Sequence, residues 1–339
     1  MVRPRRRHFA VDLCAFSDEV RRVSERPRKG PSGSPAESVG ADSGVRKNLA
    51  ARVGAEIGRL VEPPLKPGLY LVATPIGNLG DITFRALAVL ARADIVYCED
   101  TRHSRTLFSH FGIGAMLRPY HEHSDEEQRE RVLSELAAGK AVALISDAGT
   151  PLVSDPGFKL VREAAAAGHA VVAVPGASAV LSALSVSALP TDAFFFAGFL
   201  PPKEAARRSR IAELAAVPGT LVFFEAPSRT GAALADLAHV LGPRPAAVAR
   251  ELTKLHEEIE RAPLDVLAES FAQREPKGEI VILVGPPLAA EFDDAAIEER
   301  LREALPAMSV RDAAKAVAEA LGVPKARVYD LALKLKGGG

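Results

Sequence analysis

The sequence predicts a two-domain α/β protein: a parallel-sheet N-terminal domain, a mixed-sheet C-terminal domain, and a small helical module at the end of the chain. Three observations predict it. From Gly68 onward, short apolar runs alternate with helical stretches, the pattern of parallel strands with helices covering both faces. After about Pro190 the texture changes to short β-rich runs spaced by helices. Beyond residue 288 no strand pattern remains, and helices flank a turn at Gly322. The boundaries expected are 1–65 for an N-terminal extension, 66–190 and 191–288 for the two α/β domains, and 289–339 for the helical module.

Residues 1–65 are rich in Arg, Pro, Gly and Ser, and Lys and Arg outnumber Asp and Glu between Met1 and Lys47. Such a composition buries too little apolar surface to offset the entropy of ordering. The segment reads as a disordered basic extension, or as upstream sequence translated from an over-long start; a basic arm is the functional alternative. Strands are expected at 69–73, 94–99, 141–145 and 170–174. Helices are expected at 83–93, around Val132, Leu133 and Leu136, at 158–167, and at 177–188. In the second domain the β-rich runs are 193–199, 221–225, 246–249 and 279–284, with a helix at 231–241. The tail reads as helices over 294–305, from a Ser309 cap to Leu321, and from Pro324 to about Leu335, with helix-turn-helix character.

Bulk properties exclude several classes. Of 339 residues, 47% are hydrophobic and 25% charged, as in an ordinary globular protein. Lys+Arg and Asp+Glu are both 43, so no overall field recruits nucleic acid, and local patches must do so. Cys14 and Cys98 cannot form a disulfide framework, which fits a reducing cytoplasm. Residues 170–189 carry no charge, but Pro175, Gly176 and four serines interrupt them. A span needs about 20 strongly apolar residues, so no membrane is expected. The basic start, with Arg3 and Arg5 to Arg7, precedes an apolar run too short for a secretory signal and broken by Asp12.

The loops after three of the strands carry the chemistry. The most informative opens with Ser146-Asp147-Ala148-Gly149-Thr150-Pro151, where an apolar strand empties into small, turn-forming residues. Such a loop lets a ligand lie against bare backbone at a strand's carboxyl end. It contains two carboxylates and no cation. The loop from Ala73 to Gly80 and the loop Pro175-Gly176-Ala177-Ser178-Ala179 share the design. None contains Lys or Arg, and none matches a dinucleotide or phosphate-loop fingerprint. Helix N-termini can still hold anions, but the simpler ligand is neutral or cationic with a flat ring. S-adenosyl-L-methionine fits, with structural loops as the alternative. Its expected contacts are Pro75, Ile76 and Gly77; Asp147, Gly149, Thr150 and Val153; and Pro175, Gly176, Ser178 and Ala179. His121, Glu122, His123 and Asp125 resemble metal ligands, but such clusters are usually solvated surface, and no metal is expected.

The run from Ser146 through Thr150-Pro151-Leu152-Val153-Ser154-Asp155-Pro156-Gly157 closely resembles the signature of the ribosomal small-subunit RNA 2′-O-methyltransferase I family, in the tetrapyrrole methylase superfamily. Further hallmarks stand at Leu71-Val72-Ala73-Thr74-Pro75-Ile76-Gly77-Asn78-Leu79-Gly80-Asp81-Ile82-Thr83, at Cys98-Glu99-Asp100-Thr101-Arg102 and at Pro175-Gly176-Ala177-Ser178-Ala179. Others are Phe224-Glu225-Ala226-Pro227-Ser228-Arg229 and Arg250-Glu251-Leu252-Thr253-Lys254-Leu255-His256-Glu257. The resemblance spans about residues 68–285, in order; Ser228, where a His is expected, is a small departure. It implies a tetrapyrrole-methylase-like fold, with S-adenosylmethionine between two α/β domains and Ala226 among its contacts. It further implies a homodimer that methylates a cytidine ribose in the decoding region of small-subunit (16S) rRNA, naked or within the 30S subunit. The C-terminal helices also resemble a segment found in many members. Superfamily relatives that methylate tetrapyrrole carbons usually carry Gly-x-Gly-x-Gly in the first loop; here that position reads Ala73-Thr74-Pro75-Ile76-Gly77.

A ribose hydroxyl is a poor nucleophile, so positioning supplies much of the rate and a base would help. Glu99 and Asp100 are the first candidates, with helix capping or pairing with Arg102 as their structural alternative. Arg250, Glu251 and Lys254 form a second group, either placing the nucleotide or making an interdomain ion-pair network. Lys203, Arg207, Arg208 and Arg210, with Arg229 and Arg250, are candidate RNA contacts; the first four would otherwise be a solvated helix face. Arg311, Lys315, Lys325 and Arg327 would assist from the tail. Competing functions are a tetrapyrrole carbon methyltransferase and a non-enzymatic nucleic-acid-binding regulator, which leaves the cation-free loops unexplained.

Overall fold

The computed structural model describes residues 43–120, 126–155, 157–287 and 293–337. The His121, Glu122, His123 and Asp125 cluster lies outside them. Residues Ser43–Val61 form helix α1, which corrects the expectation of disorder for that part of 1–65. The prolines that colour the extension's composition stop at Pro35 and resume at Pro63, so nothing breaks a helix between them.

The first sheet is built from β1 (Gly68–Val72), β2 (Ile95–Cys98), β3 (Leu117–Pro119), β4 (Ala141–Leu144) and β5 (Val171–Val174). Their order is β3-β2-β4-β1-β5, and every pairing is parallel. Helices α2 (Phe84–Arg92), α3 (Thr101–Phe111), α4 (Glu126–Ala137), α5 (Phe158–Ala166) and α6 (Ala179–Val186) connect or follow these strands. Alternate strand residues enter two cores. Tyr70, Val72, Val96 and Cys98 pack with Val89 and Leu90 of α2 and Phe108 of α3. Leu69, Tyr97, Val142 and Leu144 pack with Leu136 of α4 and Leu160 of α5. Both faces are covered, which explains the unbroken apolar runs in the sequence.

The second sheet contains β6 (Phe194–Phe199), β7 (Thr220–Glu225), β8 (Pro245–Arg250), β9 (Glu258–Pro263) and β10 (Ile280–Val284). The order is β6-β7-β10-β8-β9, parallel between β6 and β7 and antiparallel elsewhere. Helices α7 (Glu204–Leu214), α8 (Thr230–Leu241) and α9 (Leu264–Phe271) cover one face. There, Leu221, Phe223, Ile280 and Ile282 meet Ile211 and Leu237. The intervening residues Val222, Val281 and Leu283 point the other way, onto Val180 and Leu184 of α6 and onto Ile76. The period-two alternation of β7 and β10 therefore joins the two domains and seals one side of the cleft.

Helices α10 (Asp294–Ala304), α11 (Val310–Leu321) and α12 (Lys325–Gly337) enclose their own core of Ile297, Leu301, Val317, Val328 and Leu331. Ser309 accepts from the Asp312 amide at the start of α11, and Gly322 closes that helix at φ 66°. Strands β3 and β9 and helices α3 and α9 are additions to the elements expected from the sequence. β3 has three residues, and half of β9 (EIERAP) is charged. Residues 170–189 divide between β5 and α6, and among the described residues no helix is long and apolar enough to cross a membrane.

Candidate active site

The loops after β1, β4 and β5 meet at the carboxyl edge of the first sheet because the backbone stitches them together. Thr74 and Gly149 exchange backbone hydrogen bonds of 2.9 and 3.0 Å. Thr150 Oγ1 donates to the Ala177 carbonyl at 3.2 Å, and Thr74 Oγ1 to that of Ser146 at 3.2 Å. Gly176 lets the third loop touch the first, since a Cβ there would lie 2.9 Å from Ala73 Cβ. Gly149 takes φ 82°, a region that favours glycine.

A cavity of about 400 Å³ opens against these loops and is closed by the second domain. It lies within the range of about 300–1,000 Å³ usual for small-ligand sites. Ile76, Asp147, Gly149, Thr150, Val153, Ser178 and Ala179 line it from the first domain, and Ala226 from the second. Ser178 also caps α6. The other four expected contacts, Pro75, Gly77, Pro175 and Gly176, are not in the lining. Gly176 sits where the third loop braces against the first. Gly77 faces the Lys254 side chain, which a Cβ at that position would strike.

The cavity's electrostatics favour a cation. Asp147, Asp155, Glu225 and Glu279 line it, and its described lining contains no Lys or Arg. Glu225 is buried, accepts from the Ala226 amide at 2.8 Å and pairs with Arg229 at 3.2 Å. Burial pushes its carboxyl up despite those partners. Burial likewise raises Asp155, followed by the charge of Glu99, with a Ser146 hydrogen bond opposing and Asp147 adding, to about 6. Small apolar walls, exposed loop backbone and carboxylates suit an uncharged ring joined to a sulfonium, so the residues present fit S-adenosylmethionine.

Of the candidate bases, Asp100 is occupied. Its carboxylate caps α3 by accepting from the Arg102 amide at 2.7 Å, and its own amide donates to Asp147 Oδ1 at 3.0 Å. The capping bond holds its carboxyl below the ordinary range, which makes it a weak base and corrects its candidacy. Glu99 stands at the end of β2 and acts on Asp155 through its charge. Arg102 is exposed on the first turn of α3.

The second group stands at the domain junction but is bonded within the second domain. Lys254 Nζ lies 2.8 Å from Glu251 and 3.4 Å from Glu279. Arg250 pairs with Glu258 at 2.9 Å and donates to the Lys277 carbonyl. The hydrogen bond from Lys254 lowers Glu251. Burial works against the Lys254 ammonium, but the two glutamates together raise it. Glu251 and Thr253 adopt positive φ, 51° and 66°, and Gly278 leaves room for the Glu251 carboxylate.

The basic stretch divides. Arg207 is 6% exposed and pairs with Asp236 at 2.6 Å while donating to the Pro202 carbonyl. It faces inward and is corrected as an RNA contact. Arg229 is likewise engaged, by Glu225 and the Leu200 carbonyl. Arg208 is exposed but shared between Asp236 and Glu204; Arg210 pairs with Glu213 and Lys203 stands exposed before α7. Phe199, Phe224, Glu225, Glu279 and Asp155 line the cavity without having been singled out. Asp155 and the pair Phe224-Glu225 sat in motifs, so a signal existed. Glu279 opens the expected run 279–284, but nothing local marked it for the site, which it reaches from just before β10.

Comparison with known proteins agrees with this geometry. The family model Tetrapyrrole (Corrin/Porphyrin) Methylases matches residues 68–268, and the model RsmI C-terminal HTH domain matches 291–336. A protein named ribosomal RNA small subunit methyltransferase I from Mesorhizobium japonicum is 50% identical over 275 residues, covering 80% of this chain and 94% of its own. Proteins of the same name from Pseudomonas aeruginosa and Escherichia coli O157:H7 are 48% and 44% identical, each over 79% of this chain and over 98% and 96% of their own. Among solved structures, diphthine synthase superposes with a TM-score of 0.51 at 18% identity, over 64% of this chain and 89% of its own. The methyltransferase CobJ gives 0.50 at 20%, over 67% and 97%. These structural likenesses speak to the fold alone.

Proposed function

Since the chain belongs to the ribosomal RNA small subunit methyltransferase I family of the tetrapyrrole methylases, we propose that it methylates the ribose 2′-oxygen of a cytidine in the decoding region of small-subunit rRNA. The observation that carries this reading is identity of 44–50% to the three relatives described, over about four-fifths of the chain. The cation-favouring cavity at the strand ends supports it. S-adenosylmethionine, when bound, supplies an electrophilic methyl group on a positively charged sulfur. Asp147, Asp155 and Glu225 would balance that charge, and Gly149, Thr150 and Ala179 would hold the cofactor against the first-domain wall. The loops are already stitched to one another, so little ordering of the site remains to be done when ligands bind.

Local cations serve RNA docking: Lys203, Arg208 and Arg210 on the second domain, and Arg311, Lys315, Lys325 and Arg327 on the tail, all at least partly solvent-facing. A small-subunit rRNA substrate implies work in the cytoplasm. A homodimer is supported by Phe194 and Phe195 on the edge strand β6, 44% and 40% exposed. Those rings fall on both strand faces, an unusual exposure for a solvated edge.

The test is transfer of labelled methyl to stripped small ribosomal subunits. The product should resist alkaline cleavage at one cytidine, and chelator should leave the rate unchanged. A base-methylated product, or loss of activity with chelator, contradicts the reading.

A further inference from the structure

The loop between β4 and α5 holds unfavourable backbone in a short space. Leu152 and Ser154 both take positive φ, 74° and 65°, a conformation disfavoured for residues bearing a Cβ. Gly157 follows at φ 124°, where a Cβ would meet Leu152 Cδ2 at 2.8 Å and Leu144 Cδ2 at 2.9 Å. Gly198, at the bulge of β6, brings the second domain to within 3.7 Å of Ser154 Oγ, measured from an added Cβ. Strain of this kind persists only where the surroundings over-determine it, and it concentrates at functional sites. Its result here is to set Val153 and Asp155 into the cavity wall beside Thr150.

We propose that Asp155 is the proton acceptor of the methyl transfer, a role that rests on the function proposed above. Asp155 takes the proton of the attacking 2′-hydroxyl onto a carboxylate oxygen. The hydroxyl oxygen bonds the methyl carbon, and the carbon–sulfur pair leaves with sulfur as a neutral thioether. The proton then passes to water, which the half-buried side chain still reaches.

The surroundings suit that task, and several of the other acids around the cavity are committed elsewhere. A general base works best with a proton affinity near the operating pH. Burial, then the charge of Glu99, holds Asp155 up at about 6, with Ser146 opposing and Asp147 adding. Across the cavity Glu225 is paired with Arg229, and Glu279 with Lys254. Asp100 is committed to capping α3.

The experiment compares wild type, Asp155→Asn and Glu99→Gln in transfer to small ribosomal subunits from about pH 5 to 9. It adds S-adenosylhomocysteine calorimetry and a carboxyl-carbon NMR titration of Asp155 in the ligand-free protein. Asp155→Asn should lose about 10²- to 10⁴-fold in kcat, keep its S-adenosylhomocysteine affinity, and lose the acid limb that wild type shows near the NMR midpoint. Glu99→Gln should move that limb and that midpoint together to lower pH. Asp155→Asn with a wild-type rate, or with the acid limb intact, overturns the assignment. So does a rate abolished in Glu99→Gln but not in Asp155→Asn. If Asp155→Asn does not fold, an Asp155 midpoint at the ordinary value with an unmoved Glu99→Gln limb overturns it equally. Wild type that leaves rRNA unmethylated removes the underlying function too, which separates the two failures.

Discussion

Asp100 commits its carboxylate to the Arg102 amide and its own amide to Asp147, whereas Asp155, with Glu99 and Asp147 for neighbours, is left to burial. The two aspartates therefore move in opposite directions, one lowered by a helix cap and one raised by desolvation. Linkage gives the raised group a stability consequence. Its folded affinity, about 6, exceeds the ordinary 3.8, so the folded state holds the extra proton between those values. Stability is then lost as pH rises through that window and stays lost above it. The ceiling is about 3 kcal/mol at about 1.4 kcal/mol per pH unit, and water access reduces it. Asp155→Asn should accordingly raise Tm at pH 8 and leave it unchanged near pH 4, even as it removes activity. Thermal melts at both pH values check this, and an unchanged difference between them would place the carboxyl at its ordinary affinity.

Helix α7 is tied to α8 by a carboxylate that serves two arginines, since Asp236 meets both Arg207 and Arg208. Removing it strands the buried Arg207 guanidinium. Asp236→Ala should cost about 3–5 kcal/mol, while Arg210→Ala, which breaks only a surface pair with Glu213, should stay within about 1 kcal/mol. Urea melts distinguish the two, and equal costs would mean that the Arg207 pair is not buried in solution. The loops behave as one element in the same way. Gly176→Val drives a side chain into Ala73 of the neighbouring loop, so overpacking of about 1–3 kcal/mol should accompany loss of S-adenosylhomocysteine binding. Retained affinity in calorimetry would show that the loops tolerate separation. The helices at 83–93 and 231–241 were readable because Thr83 caps one and Gly242 ends the other. β9 was not, because three charged residues among its six and a closing Pro263 leave no apolar run to read.

At the scale of the molecule, the tail has a core of its own, built on Ile297, Leu301, Val317 and Leu331. Deleting residues 289–339 should therefore leave the melting of the catalytic domains and S-adenosylhomocysteine affinity nearly unchanged. The apparent KM for ribosomal subunits should rise more than kcat falls. Neutralising Lys203 and Arg210 should reduce the salt dependence of RNA binding by about one unit of slope for each phosphate left without its cation. An unaltered slope in both variants would leave these cations as a solvated face. Arg207 does not belong in that experiment, because its loss would be felt through the fold.

What the chain determined by itself is local: which runs are strands, where small-residue loops follow them, and that three such loops carry no cation. Those features depend on residues close in sequence, and hydrophobic periodicity reports them directly. The tertiary structure decided which loops touch, which arginines turn inward and which carboxylate is desolvated. Asp155 and Asp147 share one loop and one residue type, yet the charge that helps to raise Asp155 comes from Glu99 on another strand. Gly77 and Lys254, far apart in sequence, meet because Ile76 of the β1 loop packs against β7 and β10 of the second domain. Burial and long-range charge belong to packing, and a pattern read along the chain cannot contain them.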